Sequence, residues 1–322
     1  MTNRDTATLD DVARRAGVHP GTVSRVLTRP GRVNEKTAAR VQAAVAAVGY
    51  RPNLAARQLA GGKTSRVAVI VPDITNPYFA EIVQEVQLGA RQRSESVLVA
   101  DSRQAAPDEL SAVESLSPNV DGLIVCSPVA ALGTVRDAAD GRPIVYVNRR
   151  GRNVAAVHVD QGAVVTVAVD HLRSLGHDRI AVVRGPSAFW SAEQRSRLAR
   201  KLGVAQLGPV SPTYDGGLAL IDEIVDGGFT AVATFNDVTA FGVLGGAAAR
   251  GIRVPDELSV IGSDNIPFSA MTNPPLTTVD GCARRVGRAA LDLLGSLLAG
   301  DPPRVVVVDP AMVARSSTGI VS

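Results

Sequence analysis

The residue types that most often carry out chemistry, histidine and cysteine, are few in this chain and widely spaced. His158, His171 and His177 lie 13 and six positions apart, with no neighbouring cysteine and no H-E-x-x-H motif, so they do not form a zinc-binding pattern. Cys126 and Cys282 are 156 positions apart in apolar surroundings, which indicates buried small side chains rather than a disulfide or a metal site. The sequence therefore predicts no metal and no other cofactor.

Motifs for phosphate loops and covalent catalysis are missing from the sequence. No strand is followed by G-x-G-x-x-G, and neither G-x-x-x-x-G-K-[ST] nor G-x-S-x-G occurs. The glycines of GVLGGAAARG (242–251) have the wrong spacing for a phosphate loop and indicate close helix packing. We therefore predict that the chain is not an enzyme.

Basic residues are concentrated near the N-terminus. Residues 1–66 contain 12 Lys and Arg against four acidic residues, whereas the other 256 residues contain 22 against 27. This asymmetry favours a first segment that meets a polyanion, although solvated basic tails have the same charge. No stretch reaches the roughly 18 uninterrupted apolar residues of a membrane span, and the polar start is unlike a secretory signal. We expect a cytoplasmic protein of two or three domains.

The basic segment begins with two predicted helices. Thr8 and Asp11 are spaced as a capping box for a helix that starts at Leu9. Gly17 permits a sharp turn after this helix, and Pro20 suits the first position of the next one. The second helix, taken alone, also fits an ordinary amphipathic helix with a solvated arginine.

A third helix is predicted between Asn34, a good N-cap, and Gly49. Three helices with a four-residue turn between the first two match the helix-turn-helix plan of DNA-binding domains.

From Arg66 onward, short β-branched runs alternate with helical stretches. Apolar strands separated by helices imply parallel sheets that are covered on both faces. There are two such sets, which divide near Val157–Val159. The apolar runs are RVAVIV (66–71), SVLVAD (96–101), DGLIVC (121–126), PIVYVN (143–148), RIAVVR (179–184), TAVATF (230–235) and LSVIGS (258–263).

Segments along nearly the whole chain resemble one known family. TLDDVARRAGVHPGTVSRVL, RVNEKTAARVQAAVAAVGYRPN and AARQLAGGKTSRVAVIVPDITNPYFAE look like the N-terminal part of the LacI/GalR family of transcriptional repressors. The segments that resemble the family's effector-binding body are DGLIV (121–125), DHLRSLGHDRIAVV (170–183), TFNDVTAFGVL (234–244), RVPDELSVIGSDNIP (253–267) and NPPLTTV (273–279).

The resemblance implies a helix-turn-helix domain, a hinge and an α/β body of the periplasmic-binding-protein type 1 fold, with two doubly wound parallel-sheet subdomains. The helix from Ala283 to Gly300 should return to the first subdomain and the last strand to the second. The implied boundaries are 1–49 for the helix-turn-helix domain, 50–64 for the hinge and 65–322 for the body, with about 65–157 plus 281–304 as the first subdomain and about 158–280 plus 305–322 as the second.

The resemblance also implies which residues contact DNA. Base-reading positions of the second helix fall on His19, Pro20, Gly21 and Arg25, and Arg25 can address O6 and N7 of guanine together. His19 stands where the family usually has serine, and Pro20 and Gly21 offer almost no side-chain hydrogen bonds. Base readout should then depend on Arg25, His19 and close backbone approach. The residues expected to hold phosphates are Thr8, Thr22, Asn34 and Lys36.

Residues 50–64 are interpreted as a linker that folds on binding. The family's hinge helices pair across a dimer and insert a leucine into the minor groove. Here the leucine is Leu59, the small residue that faces the groove is Ala56, and Asn53 begins the helical stretch. A flexible tether with an incidental leucine is the alternative.

Effector contacts are implied at the ends of strands in both subdomains. Carboxylate, amide and guanidinium groups beside aromatic rings suit a polyhydroxylated ligand, so the expected effector is a sugar or a sugar derivative, with a nucleobase as the alternative. The implied residues are Tyr78, Phe79, Asn148, Arg149, Asp160, Trp190, Arg197, Tyr214, Asn236 and Asp264.

Several of these residues also have a structural interpretation. Asp264 could cap a loop, Trp190 could belong to the core, and Tyr78 and Phe79 could staple a helix. The segment that starts at Arg197, RLARKLGVAQLGPVSPTYDGG, is about ten residues shorter than is usual in the family, which changes one wall near the cleft.

Together these features predict a cytoplasmic, homodimeric transcription regulator, with repression as the expected mode. A two-fold dimer presents two recognition helices to a pseudo-palindromic operator. Effector binding would change the angle between the subdomains and so favour an ordered or a disordered hinge. A solute-binding protein would share the body, but it would have a signal segment and no basic helix-turn-helix segment.

Overall fold

The computed structural model describes residues 7–28, 31, 33–50 and 64–321. The chain divides into two compact units at Thr64 and Ser65. The expected DNA contacts Asn53, Ala56 and Leu59 lie outside the described residues. In the described ranges, no helix has the length and apolar character that crossing a membrane requires.

The described part of the first unit forms three helices. They are α1 (Leu9–Ala16), α2 (Pro20–Thr28) and α3 (Glu35–Val48). Val12, Val23 and Val41, one from each helix, are fully buried and form the centre of a small core. The helix-turn-helix plan predicted from the sequence is confirmed.

The body contains two six-stranded sheets. In the first sheet all strands are parallel, in the order β11-β5-β4-β3-β1-β2. The second has the order β12-β10-β9-β8-β6-β7, and only β12 is antiparallel to its neighbour. The strands are β1 (Arg66–Val71), β2 (Ser96–Asp101), β3 (Gly122–Cys126), β4 (Ile144–Val147), β5 (Ala155–Val159), β6 (Ile180–Val183), β7 (Ala205–Leu207), β8 (Ala231–Ala233), β9 (Ser259–Asp264), β10 (Thr277–Asp280), β11 (Val305–Val308) and β12 (Ala311–Val313).

Helices cover the faces of both sheets, as the apolar strands require. They are α4 (Pro77–Gln92), α5 (Ala106–Leu116), α6 (Leu132–Ala138), α7 (Gln161–Ser174), α8 (Trp190–Lys201), α9 (Tyr214–Leu218), α10 (Ile221–Asp226), α11 (Asp237–Ala249) and α12 (Ala283–Leu298). α12 packs against α4 and the first sheet, as expected for the returning helix.

Three helices that follow strand ends begin with short polar caps. The side chains of Asn76, Asp160 and Asn236 accept hydrogen bonds from the first backbone N–H groups of α4, α7 and α11. Each cap satisfies donors that the helix itself leaves unpaired. The caps therefore fix where these helices begin, at the carboxyl edge of the sheets.

The predicted subdomain boundaries need two corrections. The boundary at 157/158 cuts through β5, which lies wholly in the first sheet. The boundary at 304/305 is also wrong, because β11 pairs with β5 in the first sheet and only β12 lies in the second. β5 was missed because residues 148–154 connect it directly to its parallel neighbour β4, without the helix that usually marks such a crossover.

Candidate DNA-binding surface and effector cleft

The N-terminus of α2 carries two exposed polar side chains. His19 precedes α2, and its Nδ1 accepts the backbone N–H of Gly21 at 3.1 Å, as an N-cap does. One turn later, Arg25 Nε donates to the Gly21 carbonyl oxygen at 3.0 Å. Val23 and Val26 are buried on the opposite face, which turns His19 and Arg25 toward solvent.

Gly21 allows these two side chains to approach the same place. A Cβ atom at Gly21 would lie 3.3 Å from His19 Nδ1 and 4.0 Å from Arg25 Nη2. The first distance is tighter than an ordinary van der Waals contact, so any side chain here would displace the imidazole. The structure thus groups all four expected base-reading residues, Pro20 included, at the start of α2.

The four residues expected to hold phosphates differ in their local roles. The Thr8 hydroxyl donates to Asp11 at 2.7 Å in a capping box, and Asn34 Oδ1 accepts the backbone N–H of Lys36 at 2.9 Å. Thr8 and Asn34 are thus helix caps, and each stands at a helix N-terminus, where backbone dipoles favour an anion. Thr22 is half-buried, and Lys36 is exposed.

A cleft lies in the body where the carboxyl ends of strands from both sheets meet. Tyr78 follows β1, Asn148 follows β4, and Asp264 ends β9. Open α/β sheets commonly bind ligands at such an edge. The empty space between the lining residues is about 580 Å³, open solvent included. The aromatic lining residues are Tyr78, Phe79, Phe189 and Phe235, and the polar ones include Ser127, Asn148, Gln161, Arg195, Asn236 and Asp264.

Arg195 is the best-anchored polar group of the cleft. Its Nε donates to Gln161 at 2.7 Å, and its Nη1 donates to the Phe235 carbonyl at 2.7 Å and to Ser263 at 3.1 Å. The guanidinium also lies 5.2 Å from the centre of the Phe235 ring, within cation–π range. Burial lowers the pKa of Arg195, and the nearby carboxylate of Asp264 opposes this shift.

Asp264 is an acidic residue of the cleft whose charge interacts with that of Arg195. Burial raises the pKa of the Asp264 carboxyl well above its usual range, and the charge of Asp237 adds to the shift while Arg195 opposes it. Asp264 has a backbone φ of 121°, which is rare for a residue with a side chain. Gly281 makes room for it, because a Cβ there would lie 3.1 Å from the Asp264 Cα.

Asn148 and Tyr78 form a second polar pair. Asn148 Nδ2 donates to the Tyr78 hydroxyl at 3.2 Å, and this hydroxyl donates to the Gly281 carbonyl at 3.4 Å. Asn148 Oδ1 is buried and has no hydrogen-bond partner among the described residues. A buried acceptor without a partner is costly, so a ligand donor at this point would be favourable. Burial also raises the pKa of Tyr78, which keeps the hydroxyl protonated.

The structure brings together half of the expected effector contacts. Tyr78, Phe79, Asn148, Asn236 and Asp264 all line the cleft. Asn236 also donates from Nδ2 to the Pro212 carbonyl at 3.1 Å. Pro212 belongs to the shortened segment after α8 and lines the cleft, so this segment still supplies a wall.

Four expected contacts are not among the lining residues of the cleft. Asp160 caps α7, and Trp190 packs edge-on against His158 with ring centres 5.0 Å apart. The hydroxyl of Tyr214 lies against Gly245, on a ring that is 45% exposed. Arg149 follows Asn148 directly, and the described part of the chain offers no partner to its buried Nε.

Arg197 is not a cleft residue, and Arg195 takes its place. The Arg197 side chain is 65% exposed and pairs with Glu193 at 3.5 Å. Two residues along an α-helix rotate the side chain by about 200°, so Arg195 and Arg197 point to opposite sides of α8. The sequence did contain a pattern that favours Arg195. Ala192 and Ala199 are small, buried residues three and four positions from Arg195, so all three lie on the same face of α8.

Both compact units of the chain contain a segment that matches a known protein family. Residues 8–53 match the family model of bacterial regulatory proteins of the lacI family, and residues 169–318 match that of a periplasmic binding protein-like domain. The HTH-type transcriptional repressor CytR of Escherichia coli (strain K12) is 30% identical over 306 residues, which cover 89% of each chain.

Two solved structures are similar over nearly the full length. The lac repressor dimer bound to operator and the anti-inducer ONPF is 27% identical, with a TM-score of 0.86 over 98% of this chain and 100% of that one. The complex of the transcriptional regulator CelR with cellobiose is also 27% identical, with a TM-score of 0.71 over 97% and 99%. The chain therefore belongs to the lacI family of bacterial regulatory proteins.

Proposed function

We propose that this protein is a transcription repressor that binds a pseudo-palindromic operator as a homodimer and is controlled by a sugar or a sugar derivative. The observation that carries the proposal is the presence, in one chain, of a helix-turn-helix unit with exposed His19 and Arg25 and a cleft with an unpartnered acceptor at Asn148. A regulator needs both a DNA-reading surface and a ligand site. With the chromosome as its target, the protein would act in the cytoplasm.

The DNA-binding half of the proposal assigns base reading to the start of α2. His19, Pro20, Gly21 and Arg25 would face the major groove, while Thr8, Thr22, Asn34 and Lys36 would hold phosphates on either side. The similar lac repressor is a dimer on its operator, which supports the same assembly here. Two copies would place two α2 helices on the two halves of a palindrome.

The effector half assigns ligand binding to the polar and aromatic lining of the cleft. Asn148 Oδ1 would accept from a hydroxyl, Asp264 would accept from others, and Arg195 would donate. Tyr78 and Phe79 would cover the apolar face of the sugar ring. Asp160, Trp190, Arg149 and Tyr214 would support the lining without being part of it. The similarity to a regulator in complex with cellobiose supports a sugar.

One pair of aromatic rings in the cleft offers no slot for a nucleobase. Phe189 and Phe235 are nearly parallel, but their ring centres are only 6.5 Å apart. A base inserted between two rings needs roughly 7 to 8 Å, twice an ordinary contact distance. The gap between these two rings is therefore too narrow to hold a base.

The test is a pull-down of genomic fragments by the purified full-length chain, repeated with a panel of sugars and nucleobases. Enrichment of one palindrome that changes with a single sugar supports the proposal and identifies the effector. No enriched palindrome would disprove the DNA-binding half. A palindrome that responds to a nucleobase, or to no compound in the panel, would disprove the sugar half.

A further inference from the structure

Both exposed side chains at the start of α2 are held by the backbone of one residue, Gly21. Its N–H donates to His19 Nδ1 at 3.1 Å, and its carbonyl oxygen accepts from Arg25 Nε at 3.0 Å. The two side chains are therefore fixed against the helix before any DNA is present. Such preorganisation reduces the entropy that binding would otherwise remove.

The hydrogen bond to Gly21 determines which nitrogen of His19 carries the proton. A backbone N–H can only donate, so Nδ1 must accept and the neutral ring carries its proton on Nε2. The outer edge of the imidazole is then an N–H donor. Arg25 uses Nε for Gly21, and its other guanidinium N–H groups are donors as well. Both side chains thus present donors to the groove.

Pro20 and Gly21, the two residues that follow His19, add no side-chain hydrogen bond of their own. Pro20 has no N–H, and Gly21 has no side chain. In helix-turn-helix proteins the first residues of the second helix contact base edges in the major groove. The bases met by this helix should therefore match a pair of donors.

Guanine is the base that fits such donors best. It presents the two acceptors O6 and N7 in the major groove, whereas cytosine presents a donor, adenine adds a donor beside N7, and thymine adds a methyl group beside O4. We infer that His19 is a specificity-determining residue that donates Nε2–H to the acceptor edge of one guanine, formed by N7 and O6, in addition to the guanine read by Arg25. Each operator half-site then carries two guanines. This inference deepens the proposed function and rests on it.

The first experiment selects binding sites from random DNA with the full-length chain and three variants. His19→Asn preserves the cap, because asparagine Oδ1 accepts from the same N–H, and it replaces the imidazole Nε2–H with the amide N–H groups of a shorter side chain, which lie closer to the helix. His19→Ala removes both the cap and the donor, and Arg25→Ala removes the side chain that is proposed to read the other guanine. The wild-type chain should select two guanines per half-site. His19→Asn should lose the preference at one of them, and Arg25→Ala at the other.

The second experiment replaces each guanine of the selected operator by 7-deazaguanine, which lacks the N7 acceptor, and measures affinity by fluorescence anisotropy. The wild-type chain should lose roughly three- to tenfold in affinity at the His19 guanine, the size of one hydrogen bond. His19→Asn should lose nothing further there and should keep the loss at the Arg25 guanine.

The inference is overturned if His19→Asn selects the same bases as the wild-type chain at every position. It is also overturned if 7-deazaguanine lowers wild-type affinity only at the guanine that Arg25 reads, a result that does not depend on how any His19 variant folds. Failure of the proposed function has a different signature, because the wild-type chain would then select no palindrome.

Discussion

The DNA-reading surface and the effector cleft are built in opposite ways. At the start of α2, His19, Gly21 and Arg25 lie within seven residues, and the side chains are exposed. In the cleft, Tyr78 contacts Asn148, 70 positions away, and the Gly281 carbonyl, 203 positions away. The first surface depends on local helix geometry, whereas the second depends on how two sheets are assembled. Damage to packing should therefore affect the cleft far more than the DNA surface.

The largest expected effect tests this separation at Asp237. This carboxylate is fully buried beside the cleft and accepts hydrogen bonds from the Ile266 N–H and from the hydroxyls of Ser269 and Thr278. Asp237→Ala leaves these donors unsatisfied, so we expect the body to lose about 3 to 5 kcal/mol of unfolding free energy. Urea denaturation followed by circular dichroism measures it.

Asp222→Ala is the matched control for this prediction. Asp222 is exposed and pairs with Arg250 on the surface of the same body. Its removal should therefore cost less than about 1 kcal/mol of unfolding free energy. Equal losses in Asp237→Ala and Asp222→Ala would contradict the expectation that the buried hydrogen bonds of Asp237 stabilise the body. Loss of the α1–α3 core together with the body would contradict the separation of the two regions.

The next effect concerns the cleft arginine. Arg195→Ala removes the charged donor that is proposed to bind the sugar, so we expect the affinity for the effector sugar to fall by about 1.5 to 3 kcal/mol. Arg197→Ala changes the same residue type two positions along α8, on the exposed side, and should leave affinity unchanged. Isothermal titration calorimetry with the sugar identified by the pull-down measures both. A larger loss from Arg197→Ala would reverse the assignment.

This pair also shows where sequence reasoning stops. The caps at Thr8 and Asn34 were predicted because a cap is a local contact between residues two or three positions apart. The resemblance implied Arg197 as the cleft arginine, whereas the rotation of α8 in the folded body brings Arg195 to the cleft. The strand order also depended on distant pairing, since the four valines of β11 indicate a strand but do not indicate that its partner is β5.

A smaller effect is expected on the DNA side. Arg25→Ala removes the exposed side chain that is proposed to read a base, so operator affinity should fall by roughly 1 to 3 kcal/mol and one base preference should relax. Fluorescence anisotropy with the selected operator and its single-base variants measures this loss. The melting temperature of the body should not change. A uniform loss across all operator variants would make Arg25 a phosphate contact instead.

The smallest effect separates folding from DNA contact at Thr8. Its hydroxyl accepts the Asp11 N–H. The Thr8 hydroxyl and the Thr8 backbone N–H both donate to the Asp11 carboxylate, and these two hydrogen bonds hold the pKa of Asp11 below its usual value. Thr8→Ala should destabilise α1 by about 1 kcal/mol, whereas Thr8→Ser, which keeps the hydroxyl, should be nearly neutral. Thermal melting of the first unit, monitored by NMR in the full chain, measures both.

The pH dependence of this cap has a definite sign. Because folding lowers the pKa of Asp11, the ionised carboxylate stabilises the folded state above the unfolded pKa of about 3.9, and this contribution disappears as the pH falls through the lower folded value. The difference between the wild-type chain and Thr8→Ala should therefore be largest near neutral pH and shrink below pH of about 4. In Thr8→Ala, an NMR titration should show the Asp11 pKa rising toward its ordinary value. An unchanged Asp11 pKa would contradict the capping role of the Thr8 hydroxyl.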